Sequence, residues 1–250
     1  MDVSDQTAQA TCGRHGPYER RTIEVLGRKI TRGCPQCAKE HADAEAARDL
    51  AMNREREDSR IRAIFERSAI PPRFQTRTFA NYVADTPEKE KALRTTKRYA
   101  DNWPTMLESG TCLVFVGKPG TGKTHLACAI ANQIMEAGSS AFFVTVSDAM
   151  RGIKATYDKG ATLSEADAIK ALVDPKLLIL DEVGADMGTE HSKVLLFDVI
   201  NKRYEHVRPT IILTNLDQST LSTYFGERIL DRLREGGGKL VSFTWASHRA

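Results

Sequence analysis

No stretch of this chain is apolar for anything near the roughly 18 residues that a membrane span requires. The opening segment 1–11 is polar and holds no signal-like apolar core, so secretion is not expected and a cytoplasmic location is. Cysteine is scarce: five in 250 residues do not make a disulfide framework in such a compartment. Charge of one sign is scarce too. A net charge of +3 with 28% charged residues permits a nucleic-acid partner without demanding one. No internal repeat or low-complexity block interrupts the chain, which is long enough for one full α/β domain with an appendage.

Against that background one stretch stands out. Gly117-Lys118-Pro119-Gly120-Thr121-Gly122-Lys123-Thr124 is a complete G-x-x-x-x-G-K-T phosphate loop, preceded by the apolar run 112–116 and followed by a helix-like run from His125. Strand, tight loop and helix start come in the order a triphosphate site needs. The glycines let the backbone curl so that successive N–H groups and the helix N-terminus face the phosphates. Lys123 would reach the β- and γ-phosphates, Thr124 would hold Mg²⁺ through its hydroxyl, and His125 closes the nucleotide-binding set.

Leu177-Leu178-Ile179-Leu180-Asp181-Glu182 reads as a strand buried on both faces with two acids at its C-terminal edge, where ligands bind in an open parallel sheet. Asp181 would support the Mg²⁺ shell and Glu182 would orient an attacking water, although such a run alone also fits a buried strand ending in a solvated turn. The strand Thr210-Ile211-Ile212-Leu213-Thr214 ends at Asn215, whose amide can donate and accept at once, as a γ-phosphate sensor must. Turn capping within Asn215-Leu216-Asp217 is the alternative.

Three of the five cysteines crowd into the first 37 residues. Cys12-x-x-His15 and Cys34-x-x-Cys37 are two knuckles separated by 18 residues, and two such turns complete a tetrahedron around Zn²⁺. Four filled ligand positions leave none open, so the metal is expected to be structural. Between the knuckles, 22–25 and 28–31 alternate around Leu26-Gly27 as a hairpin would. The result is a ribbon of about 30 residues, too small to fold without its metal. Cys112 and Cys128 read as core packing.

The expected organisation is a zinc-ribbon-like domain over 1–37, a charged connector helix over 38–70 and an ATPase domain over 71–250. The connector carries seven Lys or Arg against eight Asp or Glu between 38 and 68, the mark of a solvated helix laced with i,i+4 pairs, and Pro71-Pro72 ends it. Helices are then expected at 89–103, 125–137, 147–157 with Ser147 as N-cap, 160–173, 192–206 and 220–235. Strands alternating with them imply an α/β fold with a parallel sheet between helices. Arg228 and Arg232, four apart on one face, could reach the γ-phosphate of a neighbouring subunit or be paired on their own surface with Glu227, Asp231 and Glu235.

Seven blocks together resemble the DnaC-type replicative helicase loaders, close relatives of the IstB transposition helpers. They are Arg67-Ser68-Ala69-Ile70-Pro71-Pro72-Arg73-Phe74, Phe79-Ala80-Asn81-Tyr82, 117–127, 178–184, Leu213-Thr214-Asn215, 226–234 and Trp245-Ala246-Ser247-His248-Arg249. They run in order over about three quarters of the chain. The resemblance implies an AAA+ P-loop ATPase that binds ATP and Mg²⁺, grips single-stranded DNA, self-associates with nucleotide at the subunit interface and docks on a hexameric replicative helicase. It also leaves an IstB-like helper of DNA transposition as the alternative. Carried over by position, Arg228 and Arg232 supply the trans-acting arginine, and Arg249 contacts nucleotide in cis. Tyr157 falls in the family's DNA-facing insertion, flanked by Arg151, Lys154 and Lys159, with Thr189 and His191 as further DNA contacts. Residues 1–37 depart from the helical front of DnaC loaders and resemble the zinc-bearing phage or prophage versions.

Overall fold

The computed structural model describes residues 5–25, 28–31, 33–64, 70–161, 163–185 and 190–248. The chain divides into two compact units, Met1–Arg60 and Ile61–Ala250.

The first unit opens on a three-stranded antiparallel sheet of β1 (Asp5–Cys12), β2 (Gly16–Val25) and β3 (Arg28–Thr31), in that order. The 22–31 hairpin is where the alternation predicts it, with Val25 opposite Arg28 and the Thr22 and Thr31 hydroxyls 3.2 Å apart across the strands. Its turn, Leu26-Gly27, lies outside the described residues. β1 is absent from the sequence reading because DQTAQATC offers no large apolar side chain to mark a buried face. It pairs from Asp5 opposite Ile23 to Cys12 opposite Gly16, so the first knuckle is the turn of a hairpin. Helix α1 (Pro35–Ile64) follows, and it starts earlier than expected. Pro35 occupies its first position, where a missing N–H costs nothing, and the Ala38 amide already donates to the Cys34 carbonyl at 3.0 Å. Cys37 therefore sits in the first helical turn. Leu50 and Met52 are exposed, as a solvated helix requires.

The second unit holds a five-stranded parallel sheet, β5-β6-β7-β4-β8, made of β4 (Leu113–Gly117), β5 (Ala141–Thr145), β6 (Leu177–Val183), β7 (Thr210–Thr214) and β8 (Lys239–Phe243). Its helices are α2 (Pro87–Asp101), α3 (Trp103–Glu108), α4 (Lys123–Glu136), α5 (Val146–Lys154), α6 (Glu165–Val173), α7 (Glu190–Glu205) and α8 (Gln218–Arg234). Side chains alternate across the sheet with period two. Val114, Leu178, Leu180 and Ile212 pack in one core with residues of α5 to α8, whereas Leu113, Phe115, Leu177, Ile179, Ile211 and Leu213 pack in the other with residues of α2 and α4. Both faces are thus covered, which is why these strands read as continuous apolar runs.

Local chemistry corrects several boundaries. Thr145, not Ser147, caps α5, because its hydroxyl accepts the Asp148 amide at 3.1 Å. Ser164 and Asp167 form a capping box, so α6 begins only at Glu165. Helix α8 is broken at Gly226, whose φ of 69° and ψ of 165° leave the helical region. Arg203 is fully buried and donates to the carbonyls of Leu172, Val173, Pro175 and Pro209 and to the Thr210 hydroxyl. One guanidinium thereby satisfies the C-terminal end of α6 and fastens α7 to the start of β7. Among the described residues no helix is long and apolar enough to cross a membrane.

Candidate functional site

Parallel strands in this order bring the ends of β4, β6 and β7 to one edge of the sheet, and the three motifs meet there. The phosphate loop links β4 to α4, which begins at Lys123. The Lys123 ammonium is buried and donates to the carbonyls of Gly117 at 2.7 Å and Lys118 at 2.9 Å and to Asn215 Oδ1 at 2.8 Å. A buried charge must be bonded in this way, and the bond joins the first motif to the third. Capping of the turn after β7 falls instead to Asp217, whose carboxylate accepts the Thr220 amide at 2.8 Å and is held down to about 2 by the Ser219 hydroxyl and the Thr220 amide.

The Thr124 hydroxyl donates to Asp181 Oδ2 at 3.0 Å, so the two expected Mg²⁺ ligands are already side by side. Burial raises the Asp181 carboxyl, while the Glu182 amide, 2.7 Å from Oδ1, and the Thr124 hydroxyl act against that rise. The sign has a measurable consequence. A cation needs this carboxylate deprotonated, so Mg²⁺-dependent nucleotide binding is expected to weaken on acidification above the pH at which an ordinary aspartate titrates, about 3.9. Titrating a fluorescent ATP analogue across pH checks this, with Asp181→Asn and magnesium-free samples expected to lose the dependence.

Glu182 owes its position to a bulge. Leu180 pairs with Ile212 but Val183 with Thr214, so β6 carries one residue more than its partner and turns Glu182 outward with φ of 61°. A non-glycine residue in that region costs of order 1 kcal/mol or more and persists only where surroundings hold it. Here the Thr214 hydroxyl donates to the Val183 carbonyl at 2.7 Å, and the Asp181 carboxylate holds the Glu182 amide.

Two further segments hold the loop. From one, Tyr82 lies against Gly122, whose φ is 94° and where an added Cβ would come within 2.9 Å of the Tyr82 ring. The Tyr82 hydroxyl is buried and makes no hydrogen bond among the described residues, and burial followed by the charge of Asp85 pushes it up to about 12. His125 turns toward this segment: its ring meets Tyr82 edge-on at 5.2 Å and its Nε2 lies 3.0 Å from the Thr78 carbonyl. Its imidazole therefore faces the 78–82 strap instead of the phosphate cradle. From the other side, the Trp245 indole donates to the Thr121 carbonyl at 2.8 Å and the His248 amide to the Gly120 carbonyl at 2.9 Å. A Cβ on Gly117 would lie 2.2 Å from the Phe243 carbonyl, so only glycine lets β8 approach there. Tyr82 and Trp245 stood in the sequence only as members of two of the family-like blocks, without a role of their own, since a lone aromatic carries no spacing signal.

This arrangement has relatives. The profile of the IstB-like ATP binding protein family matches residues 46–240. The replicative helicase loader DnaC of Escherichia coli strain K12 is 34% identical over 205 residues, covering 82% of both chains. The chain belongs to the DnaC/IstB family of AAA+ ATPases. An uncharacterized protein of the same organism, YdaV, is 36% identical over 198 residues, covering 79% of this chain and 78% of its own. The crystal structure of a DnaC helicase loader superposes with a TM-score of 0.60 at 26% identity, covering 68% of this chain and 98% of that one.

Within this family member the two arginines of α8 part company. Arg228, two residues past the break at Gly226, is exposed and makes no ion pair among the described residues. Arg232 donates to Asn201 and lies over the Tyr204 ring at 5.2 Å, so it is committed to its own chain. Arg249 lies outside the described residues. Of the DNA candidates, Thr189 also lies outside them. Tyr157 falls not on α5 but in the 3-10 turn Ala155–Tyr157. It is half exposed, donates to Glu165 and places its hydroxyl 3.3 Å from His191 Nε2. The structure thus unites Tyr157 with His191 and adds a carboxylate that the sequence did not announce. Arg151 pairs with Asp148 at 3.0 Å, and Lys154 ends α5.

In the first unit, Cys12, His15, Cys34 and Cys37 bring their ligand atoms within 4.8 Å of one another. His15 Nδ1 lies 3.8, 3.7 and 3.3 Å from the sulfurs of Cys12, Cys34 and Cys37, and the Cys12 and Cys37 sulfurs are 3.5 Å apart. Zinc bonds of about 2.3 Å to sulfur and 2.0 Å to nitrogen give a tetrahedron with edges of about 3.5 to 3.8 Å, so the cluster fits that ion. The Arg14 and His15 amides point at Cys12 and lower its thiol to about 6, whereas Cys12 beside it raises Cys37 to about 11.

Proposed function

We propose that this protein is an ATP-dependent loader that docks on a hexameric replicative helicase, holds single-stranded DNA, and uses a nucleotide shared between protomers to open or load the helicase ring. The observation that carries the reading is the bonded set Lys123, Asn215, Thr124 and Asp181 at one sheet edge, in a chain that aligns with DnaC across four fifths of its length.

On ATP entry the Lys123 ammonium exchanges the Gly117 and Lys118 carbonyls for phosphate oxygens, which keeps its charge satisfied. Asn215, bonded to the same ammonium, is placed to register the γ-phosphate. Thr124 and Asp181 would hold Mg²⁺, which supplies positive charge against the phosphates when bound. Glu182, turned outward by its bulge, accepts a hydrogen bond from the attacking water. Cys12, His15, Cys34 and Cys37 would hold zinc, whose part would be structural.

Glu182→Gln tests the reading. Orientation and general-base help are worth about 10² to 10⁴ in rate, so steady-state ATP turnover is expected to fall by at least about 10² with nucleotide affinity unchanged. Unchanged turnover would take Glu182 out of the hydrolytic step, and turnover absent from wild type and variant alike would favour a non-enzymatic adaptor. Preference for duplex DNA with no helicase retained would favour the transposition-helper reading.

A further inference from the structure

We propose that Glu40 is a positioning residue of the zinc cluster, fixing His15 as an Nδ1 ligand and binding the first knuckle to α1. The inference rests on reading the four-residue cluster as a zinc site. His15 turns Nδ1 toward all three sulfurs, while its Nε2 lies 2.9 Å from Glu40 Oε1. The other carboxylate oxygen, Oε2, faces the Arg14 guanidinium at 3.4 Å.

The chemistry follows from the two nitrogens. A neutral imidazole that gives its Nδ1 lone pair to a metal must carry its proton on Nε2, and that N–H needs an acceptor. Glu40 Oε1 is that acceptor. A carboxylate behind a metal-bound imidazole fixes the tautomer, sets the ring plane and makes the ligand more basic. Glu40 lies three residues beyond Cys37 on α1, so both point from one helix face. The helical turn that supplies one ligand therefore also steers another, 22 residues earlier in the chain than Cys37. Arg14, within the same knuckle as His15, holds the second oxygen and leaves the first aimed at the ring.

A bland alternative is a surface ion pair with Arg14, whose side chains are 76% and 50% exposed and which would contribute little. The experiment separates the two on the full-length protein. Zinc affinity is measured by chelator competition for wild type, Glu40→Ala, Glu40→Gln and Arg14→Ala. Loss of an outer-shell partner typically costs about 10- to 100-fold in metal affinity, so Glu40→Ala is expected to fall in that range. Glu40→Gln should recover part of the loss, since its amide oxygen still accepts, and Arg14→Ala should stay within about twofold. The second measurement needs no variant: in ¹¹³Cd-substituted, ¹⁵N-labelled wild type, the metal should couple to His15 Nδ1, with a proton observed on Nε2. Coupling to Nε2, or Glu40→Ala binding zinc within about twofold of wild type, would overturn the inference. Wild type that takes up neither metal would overturn the zinc reading beneath it.

Discussion

Arg228→Ala is expected to cost the assembled protein about 10³ to 10⁵ in ATP turnover while leaving its affinity for nucleotide intact. A guanidinium that reaches a neighbour's γ-phosphate neutralises charge that develops in the transition state, so its loss appears in kcat and not in binding. Of the pair Arg228 and Arg232, the former is the one whose side chain is exposed without an ion pair among the described residues. It lies beyond the break in α8; the latter is spent on Asn201 and the Tyr204 ring. Mixing distinguishes trans from cis action. A Lys123→Ala protomer keeps its arginine and an Arg228→Ala protomer keeps its phosphate loop, so equal mixtures of the two inactive proteins should regain activity where the intact halves meet. Mixtures as inactive as either parent would place the arginine in its own site or outside catalysis.

The second large effect concerns the front of the chain. Stripping the metal with a chelator, or replacing Cys37 with serine, is expected to melt the unit Met1–Arg60 while the second unit keeps binding ATP. Among the first-unit residues whose burial is described, Cys34 alone is buried, and it is itself one of the four cluster residues. Apparent zinc affinities of about 10 to 16 kcal/mol in small metal-dependent domains outweigh anything such a sheet supplies. The second unit has two extensive cores and needs no such help. Loss of strand signal in circular dichroism with unchanged nucleotide binding is the expected pair of results; a sheet that survives chelation would refute a structural metal.

The sheet edge is legible in the sequence because each motif combines a buried strand with a polar end, and parallel strands align such ends on one side. The knuckles are legible because ligand spacing is fixed by turn geometry. Other features depend on partners far away in sequence. β1 is invisible since a polar strand becomes one only beside β2. The bulge at Glu182 exists only against the register of β7, and Arg203 reads as one more cation on a helix until its five acceptors surround it. Glu40 is one of eight acids in a mixed-charge run, and nothing local sets it apart. The helix expected over 147–157 is present as α5, but cap and turn chemistry shorten it and set Tyr157 beyond it.

The bonds from Trp245 and His248 to the loop join residues more than 120 positions apart. During synthesis the G-x-x-x-x-G-K-T signature emerges long before the segment that braces it. A nascent chain therefore carries the motif before the segment that braces it, and the Gly120 and Thr121 carbonyls gain these partners only after β8 has been made.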